Sequence, residues 1–333
     1  MKVGVIGTGS WGTALAQVLC DNKVDVLIWG RSKDEVDSIN NEHKLSYLKD
    51  VILNKSLKAT NNFSDLAASD VIVMATPTSA IDSVCELINE NFKKEIIIVN
   101  VAKGFHAKTN ERLSVAIKRL IKPEILKEVV SLIGPTHAEE VIIRLETAIT
   151  AVSEDMEAAT LVQKLFANDY FRVYTNTDVI GAEIGAAVKN VIALASGILS
   201  GLGLGDNARA ALITRGLAEI RRLGSAMDAD DQTFFGLTGV GDLIVTATSH
   251  HSRNFKAGEE IGRHNSAKYF WDNNKTTVEG ARAVKVVMDL AKRYEVSMPI
   301  SREIYNILYK DQLPSEAINK LMNRKLKSEE IKP

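Results

Sequence analysis

The sequence predicts an α/β chain: an N-terminal doubly wound, mostly parallel sheet followed by an all-helical C-terminal domain. Three observations carry this. Residues 2–29 read as strand, glycine-rich turn, helix and strand. Short β-rich runs then alternate with helical patterns as far as residue 152, which implies parallel strands joined by crossovers. From Ala182 onward strand patterns vanish and apolar helical periodicity takes over. The domains are expected at 1–180 and 181–333.

Lys2–Ile6 is the first strand. Gly7, Gly9 and Gly12 follow, then a helix over Thr13–Asp21 and a second strand over Asp25–Trp29. A G-x-G-x-x-G set between a strand and a helix is the signature of a Rossmann-type dinucleotide site. Gly7 permits the tight turn, Gly9 lets the backbone approach a pyrophosphate, and Gly12 lets helix and strand pack closely. The helix N-terminus then offers free N–H groups and a positive dipole end to the phosphates. An acid at the tip of the second strand would bond a ribose 2′-hydroxyl and repel a 2′-phosphate. Here the tip reads Gly30-Arg31-Ser32-Lys33. Two cations and a hydroxyl favour NADP(H), with NAD(H) tolerated.

Further strands are expected at Val71–Ala75, Ile96–Val99, Val130–Ile133 and Ala148–Val152. Ligands in such sheets bind outside the carboxyl ends of the strands. The loops there carry Lys103, Thr136 and Ala138, with His137 between the last two. Asn168–Asp178 alternates polar and apolar residues and is expected to close the first domain as an edge strand or hairpin. The tail, 325–333, is expected to fray.

The 333 residues are enough for about two domains. A charged fraction of 25% and a formal net charge of -1 supply no basic field for nucleic acid or an anionic membrane. Cys20 and Cys85 sit in apolar contexts and form no close metal pair, so a disulfide framework is not expected. The N-terminal apolar run is broken by glycines and shows no cleavage pattern before Asp21. The uncharged run 190–205 is shorter than the ~20 residues of a membrane span. A cytoplasmic protein without membrane insertion is expected.

The helical half contains the chemistry. Lys189 lies within a long Ala- and Gly-rich apolar stretch, with no further charge until Asp206. Such a lysine either snorkels off a buried helix or is paired and used. Asp242 opens the short apolar helix DLIVTATS, as a capping acid would, and can also orient a lysine. Ser252 is an expected N-cap that puts Arg253 and Asn254 in a helix's first turn. Dipole, backbone donors and a forked guanidinium suit a phosphate there. His250-His251 lacks any carboxylate or cysteine at ligand spacing, so no metal is expected. A dinucleotide site, a buried lysine, an acid and a phosphate clamp together fit reduction of the carbonyl of a small phosphorylated substrate. A desolvated lysine donates the proton.

With these elements in place, the chain resembles the bacterial-type NAD(P)-dependent glycerol-3-phosphate dehydrogenases. The matching stretches are GTGSWGTALA at 7–16, VAKG at 101–104, GPTHA at 134–138, AAVKNVIALASGI at 186–198 and GDNARAALITRGLAEI at 205–220. GLTGVGDLIVTATSHHSRN at 236–254, VEG at 278–280 and MPI at 298–300 complete the set. The resemblance implies interconversion of dihydroxyacetone phosphate and sn-glycerol 3-phosphate, feeding glycerophospholipid synthesis, by a homodimer. It implies Lys189 as proton acceptor in oxidation. It implies Lys103, Gly134, Thr136, Asp242, Ser252, Arg253 and Asn254 at the substrate. Ser10, Trp11, Arg31, Lys103, Ala138, Arg253, Thr277 and Glu279 would touch NADP(H) or NAD(H). Thr136 and His137 stand where the family more often shows Ser and Phe. Two rivals remain: another two-domain hydroxyacid dehydrogenase, acting on ketopantoate or a 3-hydroxyacid, and a regulatory module that binds NAD(P)H without turnover.

Overall fold

The computed structural model describes residues 1–48, 50–274, 277–326 and 328–329. Residue 327 and residues 330–333 of the tail therefore lie outside the described residues. The chain forms two compact units: Met1–Ala102 with His106–Val179, and Lys103–Phe105 with Ile180–Pro333.

The first unit is built on a sheet of eight strands among the described residues: β1 (Lys2–Ile6), β2 (Asp25–Trp29), β3 (Lys58–Thr60), β4 (Val71–Met74), β5 (Ile96–Asn100), β6 (Leu126–Ile133), β7 (Thr147–Val152) and β8 (Phe171–Asn176). Their spatial order is β3-β2-β1-β4-β5-β6-β7-β8. All neighbours run parallel except the β6–β7 pair. The expected mostly parallel doubly wound sheet is therefore present. Asn168–Asp178 contributes β8, which sits at the sheet's edge. Strand β3 was not expected, because a three-residue run reading KAT carries no period. Strands β4 and β5 are buried along their whole length, as near-continuous apolar runs in a sheet covered on both faces must be.

The helices α1 (Ser10–Asp21), α2 (Lys33–Glu42), α3 (Ile81–Asn91), α4 (Leu113–Leu120), α5 (Ala138–Val141) and α6 (Met156–Phe166) complete this unit. The order of strands reverses between β1 and β4, and this switch point is where such sheets accept ligands. The far end of α1 is pinned by Asp21. Its carboxylate accepts from Arg144 at 2.8 and 3.0 Å, Tyr170 at 2.7 Å and Asn54 at 2.9 Å.

The second unit is helical: α7 (Val179–Gly201), α8 (Asp206–Ala226), α9 (Asp242–Thr248), α10 (Arg253–Arg263), α11 (Lys268–Asn273), α12 (Glu279–Arg293), α13 (Pro299–Tyr309) and α14 (Pro314–Met322). Helix α7 is long and apolar enough to cross a membrane, yet 89% of its most apolar window is buried inside the protein. Val188, Val191, Ile192 and Leu194 lie in this unit's core. Glycines let α7 and α10 touch backbone to backbone. A Cβ at Gly197 would lie 2.0 Å from the Phe255 carbonyl oxygen, and one at Gly258 2.0 Å from that of Leu194. Gly201 and Gly262, one turn further on, are equally closed to a side chain. Helix α13 is capped from α8: the buried Glu219 carboxylate accepts from the Ile300 N–H at 2.5 Å and from Ser301 at 3.1 and 2.9 Å.

Candidate active site

The glycine loop lies at the carboxyl end of β1. Gly7 has φ +115°, and a Cβ there would sit 2.5 Å from the Ala75 carbonyl oxygen at the end of β4. A Cβ at Gly12 would sit 2.1 Å from the Gly7 carbonyl oxygen. Both positions therefore exclude any side chain. A Cβ at Gly9 would meet nothing within 4 Å, so this stretch of loop is open. Gly9 is the N-cap of α1 and no side chain caps the helix, nor does any acid lie in its first turn. The N–H groups of Ser10, Trp11 and Gly12 thus meet no capping side chain. The buried Trp11 Nε1 also has no hydrogen-bond partner among the described residues. An uncapped helix start beside an open glycine loop fits a pyrophosphate, whose oxygens would take the N–H donors.

At the end of β2, Arg31 and Lys33 are exposed, and Ser32 N-caps α2 by accepting from the Glu35 N–H at 3.3 Å. The Thr136 hydroxyl donates to the Gly134 carbonyl at 3.1 Å. Gly134 is closed to a side chain by Ile149, whose Cα would lie 2.9 Å from an added Cβ. His137 is the N-cap residue of α5 without capping it through its side chain, and Ala138 opens that helix. All of these belong to the first unit.

Lys103 follows β5 in sequence but is grouped with the second unit, as is the buried Phe105. Lys103 Nζ lies 3.1 Å from Asp242 Oδ1. Lys189, 4% exposed on α7, donates to the same oxygen and to Thr246 Oγ1, the latter at 2.7 Å. Asp242 is fully buried, and its Oδ2 has no hydrogen-bond partner among the described residues. Burial pulls the Lys189 ammonium down to about 7; the Asp242 charge opposes that fall and the Lys103 charge adds to it. Lys189 is therefore paired and buried, and the snorkelling alternative is excluded.

Asp242 does not act as the expected helix cap. Gly241 takes the N-cap position without a side-chain bond, and Asp242 stands one residue inside the helix. The Asp242 carboxylate is directed at the two lysines instead. A short π-helical turn, Leu237–Gly241, precedes it. Such turns insert an extra residue and re-aim the side chains after it. A Cβ at Gly239 would lie 2.2 Å from the Phe234 carbonyl oxygen, so the turn depends on that glycine.

Thr246 was not singled out in the sequence. It lies four residues after Asp242, on the same helical face. Its hydroxyl donates to the Asp242 carbonyl at 2.6 Å while its oxygen accepts from the Lys189 ammonium. That spacing in an apolar helix was the signal.

Ser252 N-caps α10 as expected, accepting from the Phe255 N–H at 3.2 Å. Arg253 is exposed in the first turn. Asn254 is buried and already engaged: its Nδ2 donates to Asn190 Oδ1 at 3.0 Å and its Oδ1 accepts from the Gly280 N–H at 2.8 Å. It ties α7, α10 and the start of α12 together and keeps one N–H to spare. Glu279 opens α12; burial raises its carboxyl, and Arg282 and Arg253 pull it back. Thr277 is exposed. His250 packs edge-on against Phe255 at 5.1 Å. No group of three or more metal-ligating side chains exists among the described residues.

Comparisons with known proteins identify the family. The family model described as NAD-dependent glycerol-3-phosphate dehydrogenase N-terminus matches residues 2–159, and the corresponding C-terminus model matches 178–319. The chain is 48% identical over 330 residues to glycerol-3-phosphate dehydrogenase [NAD(P)+] of an Exiguobacterium species, covering 98% of this chain and 97% of that protein. The protein of the same name from Enterococcus faecalis is also 48% identical over the same shares. A crystal structure of glycerol-3-phosphate dehydrogenase from Coxiella burnetii superposes with TM-score 0.88 at 32% identity, covering 97% of this chain and 99% of that one. With both family models and these relatives matched over nearly the whole length, the chain belongs to the NAD-dependent glycerol-3-phosphate dehydrogenase family.

Proposed function

We propose that the chain interconverts dihydroxyacetone phosphate and sn-glycerol 3-phosphate, using NAD(P)(H), with Lys189 as the general acid and base. The observation that carries this is Lys189 itself: a buried ammonium drawn to about 7, bonded to Asp242 and Thr246. A group with that value exchanges protons efficiently near neutral pH. A nicotinamide held at the glycine loop would supply or accept the hydride. In oxidation, neutral Lys189 takes the proton of the C2 hydroxyl as the hydride leaves C2. In reduction, protonated Lys189 returns it to the forming alkoxide. Asp242 and Thr246 hold the lysine amine in one orientation, and Lys103 adds positive charge beside the carbonyl oxygen.

The substrate phosphate is assigned to the first turn of α10, where the exposed Arg253 could join the helix N–H groups in holding it. Gly134, Thr136, Ser252 and Asn254 line the substrate in this reading. The glycine loop, Ser10, Trp11, Arg31, Ala138, Thr277 and Glu279 hold the cofactor. The product supplies glycerophospholipid synthesis, and the enzyme works in the cytoplasm as a homodimer.

The assay is NADPH or NADH consumption with dihydroxyacetone phosphate, then with ketopantoate. Turnover with the first substrate alone is expected; consumption only with the second would replace this reading. Lys189→Ala should lower turnover by about 10²–10⁴-fold or more while NADPH still binds. Retained turnover would return Lys189 to a structural role.

A further inference from the structure

We propose that Glu35 sets the cofactor preference of this enzyme. Its carboxylate is held where the glycine loop meets the end of β2, so that it accepts the ribose 2′-hydroxyl of NAD(H) and disfavours the 2′-phosphate of NADP(H). The inference rests on the reading that this loop binds a nicotinamide dinucleotide.

The tip of β2 has no acid in sequence, only Arg31, Ser32 and Lys33. The fold brings one there from the first turn of α2. Thr8, between Gly7 and Gly9, donates its hydroxyl to Glu35 Oε2 at 2.5 Å. The Thr8 side chain also packs against the tip of β2. A Cβ at Gly30 would lie 2.5 Å from Thr8 Cγ2 and 2.8 Å from Thr8 Oγ1. Ser32 holds the turn of α2 that carries Glu35 by accepting its N–H. The Glu35 carboxylate is thereby fixed to the phosphate-binding loop and to the end of β2 at once. Its Oε1 accepts no hydrogen bond among the described residues.

An acid about 20 residues beyond the glycine loop serves the ribose 2′-hydroxyl in NAD-selective sheets of this kind. Glu35 meets that requirement through a different backbone position. Tyr47 reinforces the arrangement: its hydroxyl donates to the Thr8 carbonyl, and burial with the nearby Glu35 charge pushes its phenol up to about 12. The exposed Arg31 and Lys33 keep NADP(H) acceptable, but the fixed negative charge on the loop opposes a 2′-phosphate. In this proposal the Glu35 charge outweighs the preference toward NADP(H) read from the β2 tip.

The test is equilibrium binding of NADH and NADPH without substrate, read by tryptophan fluorescence or calorimetry, on the full chain and on Glu35→Gln. The glutamine keeps an acceptor for the Thr8 hydroxyl and removes the charge. The ratio of the NADPH to the NADH dissociation constant should fall about tenfold, the scale of one screened like-charge contact near a protein surface. A ratio that stays within about twofold overturns the proposal, whether both cofactors weaken equally or neither changes. A second measurement guards against a misfolded variant. On the unaltered protein, adenosine 5′-monophosphate should displace NADH at least as well as adenosine 2′,5′-bisphosphate. Tighter binding of the bisphosphate overturns the proposal. Binding of neither NADH nor NADPH overturns the dinucleotide reading, and this proposal with it.

Discussion

At the residue scale, the proposed role of Lys189 makes the reaction depend on pH in a defined way. Oxidation needs the neutral amine, so kcat/KM for sn-glycerol 3-phosphate should rise with pH through a midpoint near the value of about 7 given by burial. Reduction needs the protonated amine, so kcat/KM for dihydroxyacetone phosphate should fall through the same midpoint. Asp242 opposes the effect of burial by favouring the ammonium. Asp242→Asn should therefore move both midpoints to lower pH, besides lowering the rates. Initial rates in both directions across pH 5.5–9.5 would measure this, a window of about two units or more on either side of the midpoint. Midpoints that do not move in the variant would show that Asp242 does not set the lysine's protonation. The unpartnered Asp242 Oδ2 belongs with the same lysine chemistry. A fully buried carboxylate oxygen without a donor is costly in a purely structural role.

At the scale of elements, α7 is held by backbone contact and not only by side-chain interdigitation. Gly197 and Gly201 on α7 meet Gly258 and Gly262 on α10, so the two helices approach as closely as their backbones allow. The Asn190–Asn254–Gly280 bonds then join α12 to the same pair. That rigidity fixes the helix on which Lys189 rides. Gly258→Ala would place a methyl 2.0 Å from the Leu194 carbonyl oxygen, a backbone atom that cannot rotate away. We expect a loss of about 3 kcal/mol of stability, seen as a fall of several degrees in the melting temperature. The exposed neighbour Lys256 serves as control, with Lys256→Ala expected to leave the melt unchanged. An unperturbed Gly258→Ala melt would show that α10 can shift without penalty. The π-helical turn before α9 has a comparable role for Asp242: it trades regular helix for the direction of one carboxylate.

At the scale of the whole molecule, the proposed mechanism uses a lysine, an acid, a threonine and a cofactor, and calls on no metal. Dialysis against EDTA should leave turnover unchanged, and a loss restored by a divalent cation would contradict the mechanism. The fold class was legible in the sequence because both signals behind it are local. A parallel sheet buried on both faces writes itself as short apolar runs between helices, and the glycine loop follows from backbone sterics at Gly7 and Gly12. Lys189 stood out because an ammonium in an apolar helix violates the usual burial rule. What the tertiary structure alone decided is which distant side chains share one place. Asp242 reads in sequence as a cap that can also orient a lysine; the fold leaves the cap to Gly241 and turns the carboxylate to Lys189 and to Lys103, a second lysine the sequence did not pair with it. Thr246, beyond its four-residue spacing from Asp242, and Glu35 take their meaning from partners 57 and 27 residues away. Periodicity and turn chemistry act over a few residues of chain, whereas hydrogen bonds and charge act over a few ångströms of space. Only the folded chain converts the first kind of proximity into the second.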